Sequence, residues 1–204
     1  MLAKLRWVLD SWWFPIVLVG GLYLTGLHTP VMAFLQRGIL ATGLFQPDTD
    51  GPDPGAEERV PTVKLDFHMV DADGRSVDAG DLTGKVVFLN LWASWCPPCL
   101  AEMPNINALY ADYAGDERVA FVLLNVEADF TKGVDYVRRH GYDFPVYHLR
   151  GNLPEELRSG TLPTTYVISP DGEVVVAHEG MARYDTRKFR ALLNGLRSLP
   201  REAE

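Results

Sequence analysis

Two cysteines, Cys96 and Cys99, are the only ones among the 204 residues, and they flank two prolines in Trp95-Cys96-Pro97-Pro98-Cys99. Such a pair can be half of a metal site, a pair of passive apolar side chains, or a thiol-disulfide exchanger. A structural zinc takes four ligands, whereas this chain has no second CxxC, and His28, His68, His140, His148 and His178 show no ligand spacing. Passive cysteines do not call for prolines at both intervening positions after a strand ending Trp92-Ala93-Ser94-Trp95. Exchange is the chemistry the spacing supports. A cysteine placed where a strand gives way to a helix faces unpaired N–H groups and the positive end of the helix dipole, which bring a thiol pKa from about 8.5 to roughly 3.5–7.5. Cys96 is then the expected nucleophile, and Cys99, one turn along and less exposed, the resolving thiol. The pair needs no cofactor, and no metal is expected.

The elements around the pair must put Cys96 at such a junction. Lys85 to Leu91 is nearly continuous apolar sequence, the pattern of a central strand covered on both faces. Pro97 to about Ala114 has Leu100, Met103, Ile106, Leu109 and Tyr110 at helical spacing, and Val119 to Val126 reads as a second buried strand. Upstream, Val63 to Val70 alternates and Asp71-Ala72-Asp73-Gly74 supplies a turn, predicting an opening hairpin. Downstream the pattern predicts a helix over 131–140, an extended piece over 144–147, strands over 164–168 and 173–178 joined by Ser169-Pro170-Asp171-Gly172, and a closing helix over 185–196. A parallel strand-helix-strand unit followed by an antiparallel hairpin and a terminal helix is an α/β three-layer plan with a mixed sheet.

Ahead of this domain, assigned to residues 60–200 with a short tail at 201–204, lie two further regions. Residues 1–45 carry the uncharged run Trp12 to Leu27 and a second apolar stretch beyond His28-Thr29-Pro30, predicting a transmembrane anchor and a juxtamembrane helix capped by Thr29. Cleavage as a signal peptide after a pattern such as Val31-Met32-Ala33 is the competing reading. Lys4 and Arg6 place the N-terminus in the cytoplasm by the positive-inside tendency, and so the domain outside it. Residues 46–59 hold Asp48, Asp50, Asp53, Glu57 and Glu58 against Arg59, with Pro and Gly and no large apolar residue. They read as a self-repelling linker that holds the domain off the lipid.

The segment from Leu89 to Cys99 resembles the active site of the thioredoxin superfamily, and Glu102 and Pro104 after the second cysteine resemble its TlpA/ResA branch. The resemblance covers about residues 60–199. It implies a thioredoxin-like fold with an extra N-terminal hairpin and attachment to a bacterial inner membrane, with the domain in the periplasm or other extracytoplasmic space. It implies a protein-disulfide reductase that acts on client proteins with cysteine pairs, as in cytochrome or metal-site maturation, and is fed by a membrane thiol donor. By the same resemblance Pro163 is a cis proline facing the disulfide, and Thr161 and Leu162 line a client groove where an extended segment pairs. Trp95 is expected to shield the disulfide, with Pro97 and Pro98 in support, and Trp92 to pack in the core. The acid and lysine that thioredoxin buries are replaced by Asn90 and Leu123. Glu102 is then either a carrier of the resolving proton or a solvated helix residue, and Glu127, past the second buried strand, either approaches the site or, as the favoured reading, is a plain surface acid.

A net charge of −8 and the absence of any basic run exclude a nucleic-acid partner. Other readings of the pair stay open. The potential of a CxxC pair depends on its surroundings, so a thiol oxidase or isomerase on the same fold is the first alternative. A copper-binding assembly factor would want a further His or Met, and Met103 alone is adjacent in sequence. A peroxidase would carry Thr where this chain has Ala93.

Overall fold

The computed structural model describes residues 13–42, 46 and 47, and 61–198. The expected linker beyond Pro47, the N-terminal residues Lys4 and Arg6, and the tail lie outside these. Seven strands form one mixed sheet in the order β2-β1-β5-β4-β3-β6-β7: β1 (His68–Asp71), β2 (Ser76–Asp78), β3 (Val86–Trp92), β4 (Val119–Asn125), β5 (Val146–Arg150), β6 (Thr164–Ile168) and β7 (Val174–Glu179). The described helices are α1 (Trp13–Leu24), α2 (His28–Ala41), α3 (Pro97–Tyr113), α4 (Phe130–His140) and α5 (Arg187–Arg197).

β3 is the axis of the sheet, parallel to β4 and antiparallel to β6, and all of its residues are buried. Its alternation divides the core. Val86, Phe88 and Trp92 join Ile106 and Leu109 of α3, Tyr136 and Val137 of α4, and Phe189 and Leu193 of α5 on one face. Val87, Leu89 and Leu91 pack on the other. Asn90, one step of two from Phe88 and Trp92, therefore points at the helices. The successive parallel units β3-α3-β4 and β4-α4-β5 step the same way along the sheet, so crossovers of one hand put α3 and α4 on the same side.

The second face is covered differently from the sequence expectation. No helix described packs there; Val63, Phe67, Ala79, Leu153 and Leu157 cover it from an extended segment and two short 3-10 turns, Ala79–Leu82 and Glu155–Leu157. The reason is local, since Gly151, Pro154, Gly160 and Pro163 punctuate a stretch that cannot hold a helix. The opening hairpin is present as β1 and β2, but 63–67 stays out of the strand. It runs instead from the β6–β7 turn, where the Val63 N–H donates to Gly172 O and the Val174 N–H to Pro61 O. Gly172, at φ +85°, is required there: a Cβ would meet Val63 O at 2.9 Å.

The N-terminal region also departs from a single anchor span. Among the described residues no single helix is long and apolar enough to cross a membrane, and α1 and α2 meet at a bend of 107°. The described part of α1, 12 residues, reaches about 18 Å against a hydrocarbon core of about 30 Å. α2 begins at His28 with no side-chain cap, so Thr29 lies inside its first turn instead of capping it, and Pro30 is its third residue instead of its first.

Phe88 sits at the centre of the helix-side core, with ring centroids 5.0 Å from Phe121, 5.3 Å from Tyr184 and 6.0 Å from Phe189. Phe88→Ala should cost about 3–5 kcal/mol, read as a lowered denaturation midpoint of the oxidised protein.

Candidate functional site

β3 ends at Trp92, and four more residues bring the chain to Cys96, the N-cap of α3. Pro97 and Pro98 occupy the first two helical positions, where a missing N–H costs nothing and φ is already set for a helix. Cys96 and Cys99 are joined in a disulfide with Cα atoms 5.3 Å apart. Cys96 is 4% exposed and Cys99 fully buried, the order expected of nucleophile and resolving thiol. The Cys99 N–H donates to Cys96 Sγ over 3.3 Å. Since Pro97 and Pro98 have no N–H, this is the one backbone donor of the first three helical positions that can serve the sulfur.

The sheet register brings the other predicted residues to the same end. Leu91 pairs with Thr164 across β3 and β6, which sets Pro163 level with Trp92. The Leu162–Pro163 bond is cis, as the resemblance implied. Thr161 is exposed and Leu162 half-buried beside it. Trp95 is 61% exposed while Trp92 is fully buried, so the two tryptophans divide between surface and core as expected.

Glu102 is not a solvated helix residue. It lies one turn beyond Cys99 on α3 and is completely buried. Its Oε1 accepts from Asn90 Nδ2 at 2.8 Å and its Oε2 from the Ala182 N–H at 3.2 Å. Burial outweighs both bonds and raises its pKa from the ordinary 4.5 to about 8. Asn90 Nδ2 also donates to Thr165 Oγ1 at 2.9 Å, and the Tyr184 hydroxyl donates to the same oxygen at 2.7 Å. Burial holds the Tyr184 phenol well above its usual pKa, with the carboxyl of Glu102 adding to the shift. A carboxyl of raised pKa thus sits at the end of a buried polar chain running from β3 through β6 to the segment before α5.

Residues 55–193 match the Redoxin family. The chain belongs to this family. It is 35% identical over 131 residues to the thiol-disulfide oxidoreductase ResA of Halalkalibacterium halodurans, covering 63% of this chain and 74% of that one. To ResA of Oceanobacillus iheyensis it is 33% identical over 129 residues, covering 63% and 67%. Among solved structures it is similar to a thioredoxin-family thiol:disulfide interchange protein of Chlorobium tepidum (27% identity, TM-score 0.54, 68% of this chain and 99% of that one). StoA of Bacillus subtilis is similar too, with 26% identity, TM-score 0.52, and 63% and 97% covered. This redoxin is a thiol-disulfide oxidoreductase of the ResA type with a thioredoxin-like α/β fold around a mixed sheet.

The redoxin site contains residues whose place in it the sequence did not fix. Glu127, expected at the surface, is 5% exposed. Its Oε2 accepts from the Ser94 N–H and from Asn125 Nδ2, each at 2.9 Å, and its Oε1 accepts from Ser94 Oγ at 2.8 Å. Val126 N–H donates to Trp92 O at 3.0 Å. The end of β4 therefore brackets the turn that carries Trp95 and Cys96. Gly133 of α4 lets the helix close on this bracket, since a Cβ there would fall 2.6 Å from Asn125 Nδ2. Asn90 carried a visible signal, a lone polar residue inside an apolar strand. Thr165, Tyr184 and the Ala182 amide carried none, because their meeting depends on the return of β6, β7 and α5.

Two outcomes follow from these geometries. The native state binds the Glu102 proton more tightly than the unfolded chain does, so its contribution to stability is full below about pH 4.5 and is lost as pH rises towards about 8. Glu102→Gln should flatten that part of a stability–pH profile and leave the variant relatively more stable at pH 8, measured by denaturant unfolding. Glu127→Ala, which leaves the Ser94 and Asn125 donors without an acceptor, should cost about 1–3 kcal/mol; Gly133→Ala should shift the denaturation midpoint the same way, and Glu127→Gln should shift it less than Glu127→Ala.

Proposed function

We propose that the protein reduces disulfides of client proteins on the outer side of a bacterial inner membrane, as cytochrome or metal-site maturation requires, and is recharged by a membrane thiol donor. The observation that carries the exchange chemistry is the Cys96 sulfur at the N-cap of α3 with the Cys99 N–H 3.3 Å away. In the reduced protein the Cys96 thiolate attacks one sulfur of a client disulfide. The client S–S bond breaks, its second sulfur leaves as a thiolate, and a mixed disulfide forms. Cys99 then gives up its proton and attacks the Cys96 sulfur. This closes the Cys96–Cys99 disulfide and frees the other client thiolate, so two electrons have passed to the client.

The proton from Cys99 goes to Glu102, one turn away and with a pKa of about 8. A carboxyl so placed both takes and releases a proton close to neutral pH, which a carboxyl at its ordinary pKa does poorly. Clients dock at the sheet end shared by Cys96 and Pro163, where Ser159 and Thr164 hold the Thr161 backbone, Leu162 beside it is half-buried and its backbone faces an extended segment, and Trp95 offers an exposed ring.

The reducing direction is supported by the prolines. A thiolate stabilised by many donors makes a pair oxidising, because its reduced form is favoured. Here Pro97 and Pro98 take away two of the three amides that a helix start offers, which disfavours the thiolate and favours the disulfide. The membrane location is supported by the apolar, exposed side chains of α1, among them Ile16, Val17, Leu18 and Leu24, and by Lys4 and Arg6 ahead of them.

Cys96→Ser should abolish turnover of a disulfide substrate, and Cys99→Ser should accumulate mixed disulfides with clients that dithiothreitol releases. Equilibration with glutathione should give a potential nearer about −270 mV than about −120 mV; a value at the oxidising end would assign the protein to thiol oxidation instead.

A further inference from the structure

Pro104 lies inside α3 and has no N–H to return to the carbonyl four residues earlier, that of Leu100. This vacancy sits one residue past Cys99, in the active-site helix. Arg37 of α2 fills it, with its Nη2 donating to Leu100 O at 3.2 Å. The same guanidinium interacts with the Tyr136 and Tyr142 phenols. On the same stripe of α2, Ala33 and Leu40 are 3% and 1% exposed, and Ala33 belongs to the cluster that contains Cys96, Cys99 and Leu100. α2 is thus seated along the first turns of α3.

The opposite side of α2 is also apolar. Val31, Met32, Phe34, Leu35 and Ile39 are 41–72% exposed, and at about 100° per residue they lie across the helix from Ala33, Arg37 and Leu40. A helix apolar on two sides needs two apolar neighbours, and the domain supplies one. The second surface is continuous in sequence with α1, where Ile16, Val17, Leu18, Val19 and Leu24 are exposed and apolar, and the 107° bend turns α2 across the direction of α1. A helix that enters a bilayer and is followed by one lying across it leaves the second in the interface plane.

We propose that α2 is an interfacial helix held between the lipid surface and the active-site helix, so that the Cys96–Cys99 disulfide stays about one helix diameter, roughly 10–12 Å, from the headgroups. This rests on the membrane attachment proposed above. It replaces the picture of a domain held off the lipid by its linker: the chain between α2 and the domain connects two parts that are already in contact. The disulfide then stands where a thiol donor buried in the bilayer can reach it.

The test uses the full chain in nanodiscs. Cys99→Ser protein carrying a fluorophore on Cys96 is assembled with lipids bearing a headgroup acceptor, and a second sample adds Ala33→Asp and Leu40→Asp to release α2. Energy transfer should be strong in the first sample and fall in the second, while amides 31–41 should exchange with solvent about tenfold or more slowly in the first. Phe34→Ser with Leu35→Ser should lower the transfer and leave that protection in place. Protein that fails to associate with the nanodiscs would remove the membrane reading itself. Retained protein with weak transfer and rapid exchange, both unchanged by release, would overturn the docking alone. A dimer that Phe34→Ser with Leu35→Ser dissociates at unchanged transfer would assign the outer face to a second copy and overturn the lipid contact.

Discussion

The Cys96 sulfur accepts the Cys99 N–H across the first turn of α3, and the surrounding structure keeps that sulfur at the helix start. A cap position is set by the strand before it and the helix after it, so neither can slide without moving the sulfur. β3 is fixed by neighbours on both edges and by apolar contact on both faces. α3 is fixed by its face of Met103, Ile106 and Leu109 against the sheet. The turn between them has no core of its own and is held by polar contacts to Glu127. Rigid elements thus position a short irregular segment, which is how exchange chemistry gains a defined approach.

The two carboxylates near the disulfide show how their surroundings divide the work. Glu127 receives three donors, two of them from Ser94, and so ties down the turn. Glu102 receives two donors in a setting that includes the buried Tyr184 and the apolar side chains of α3, and burial wins. The result is one carboxyl used as a brace and one kept ready to exchange a proton. The difference comes from donors and burial, not from residue type.

Much of this was legible in the sequence because it is local. The periodicity of Val86 to Trp92 and of Leu100 to Leu109, with the prolines at the helix start, set the strand, the helix and the cysteine junction within a residue or so of their observed limits. The second face was not legible: apolar residues from 63–67, whose alternation reads as a strand, and from 153–157, which has no regular period, cover it from outside the sheet. Glu102 and Glu127 were ambiguous for a related reason. Whether a carboxylate on a helix or past a strand is buried depends on which segment returns over it, here Ala182 for one and the Ser94 turn for the other.

The N-terminal helices raise the same question at a larger scale. Read alone, the apolar residues from Val31 to Ile39 and the stripe of Ala33, Arg37 and Leu40 look like one hydrophobic stretch. Only the placement of α3 separates them into a face that meets protein and a face that does not. Pro104 gives the inner face its specificity, because an uninterrupted α3 would use the Leu100 carbonyl internally and leave Arg37 no acceptor there. An arginine is suited to this, with a planar fork whose N–H groups can serve a carbonyl on one side and phenols on another. The break in the active-site helix is therefore also the place where the protein attaches its N-terminal segment, so the two features that set off the region around Cys99, its proline and its covering helix, are one interaction.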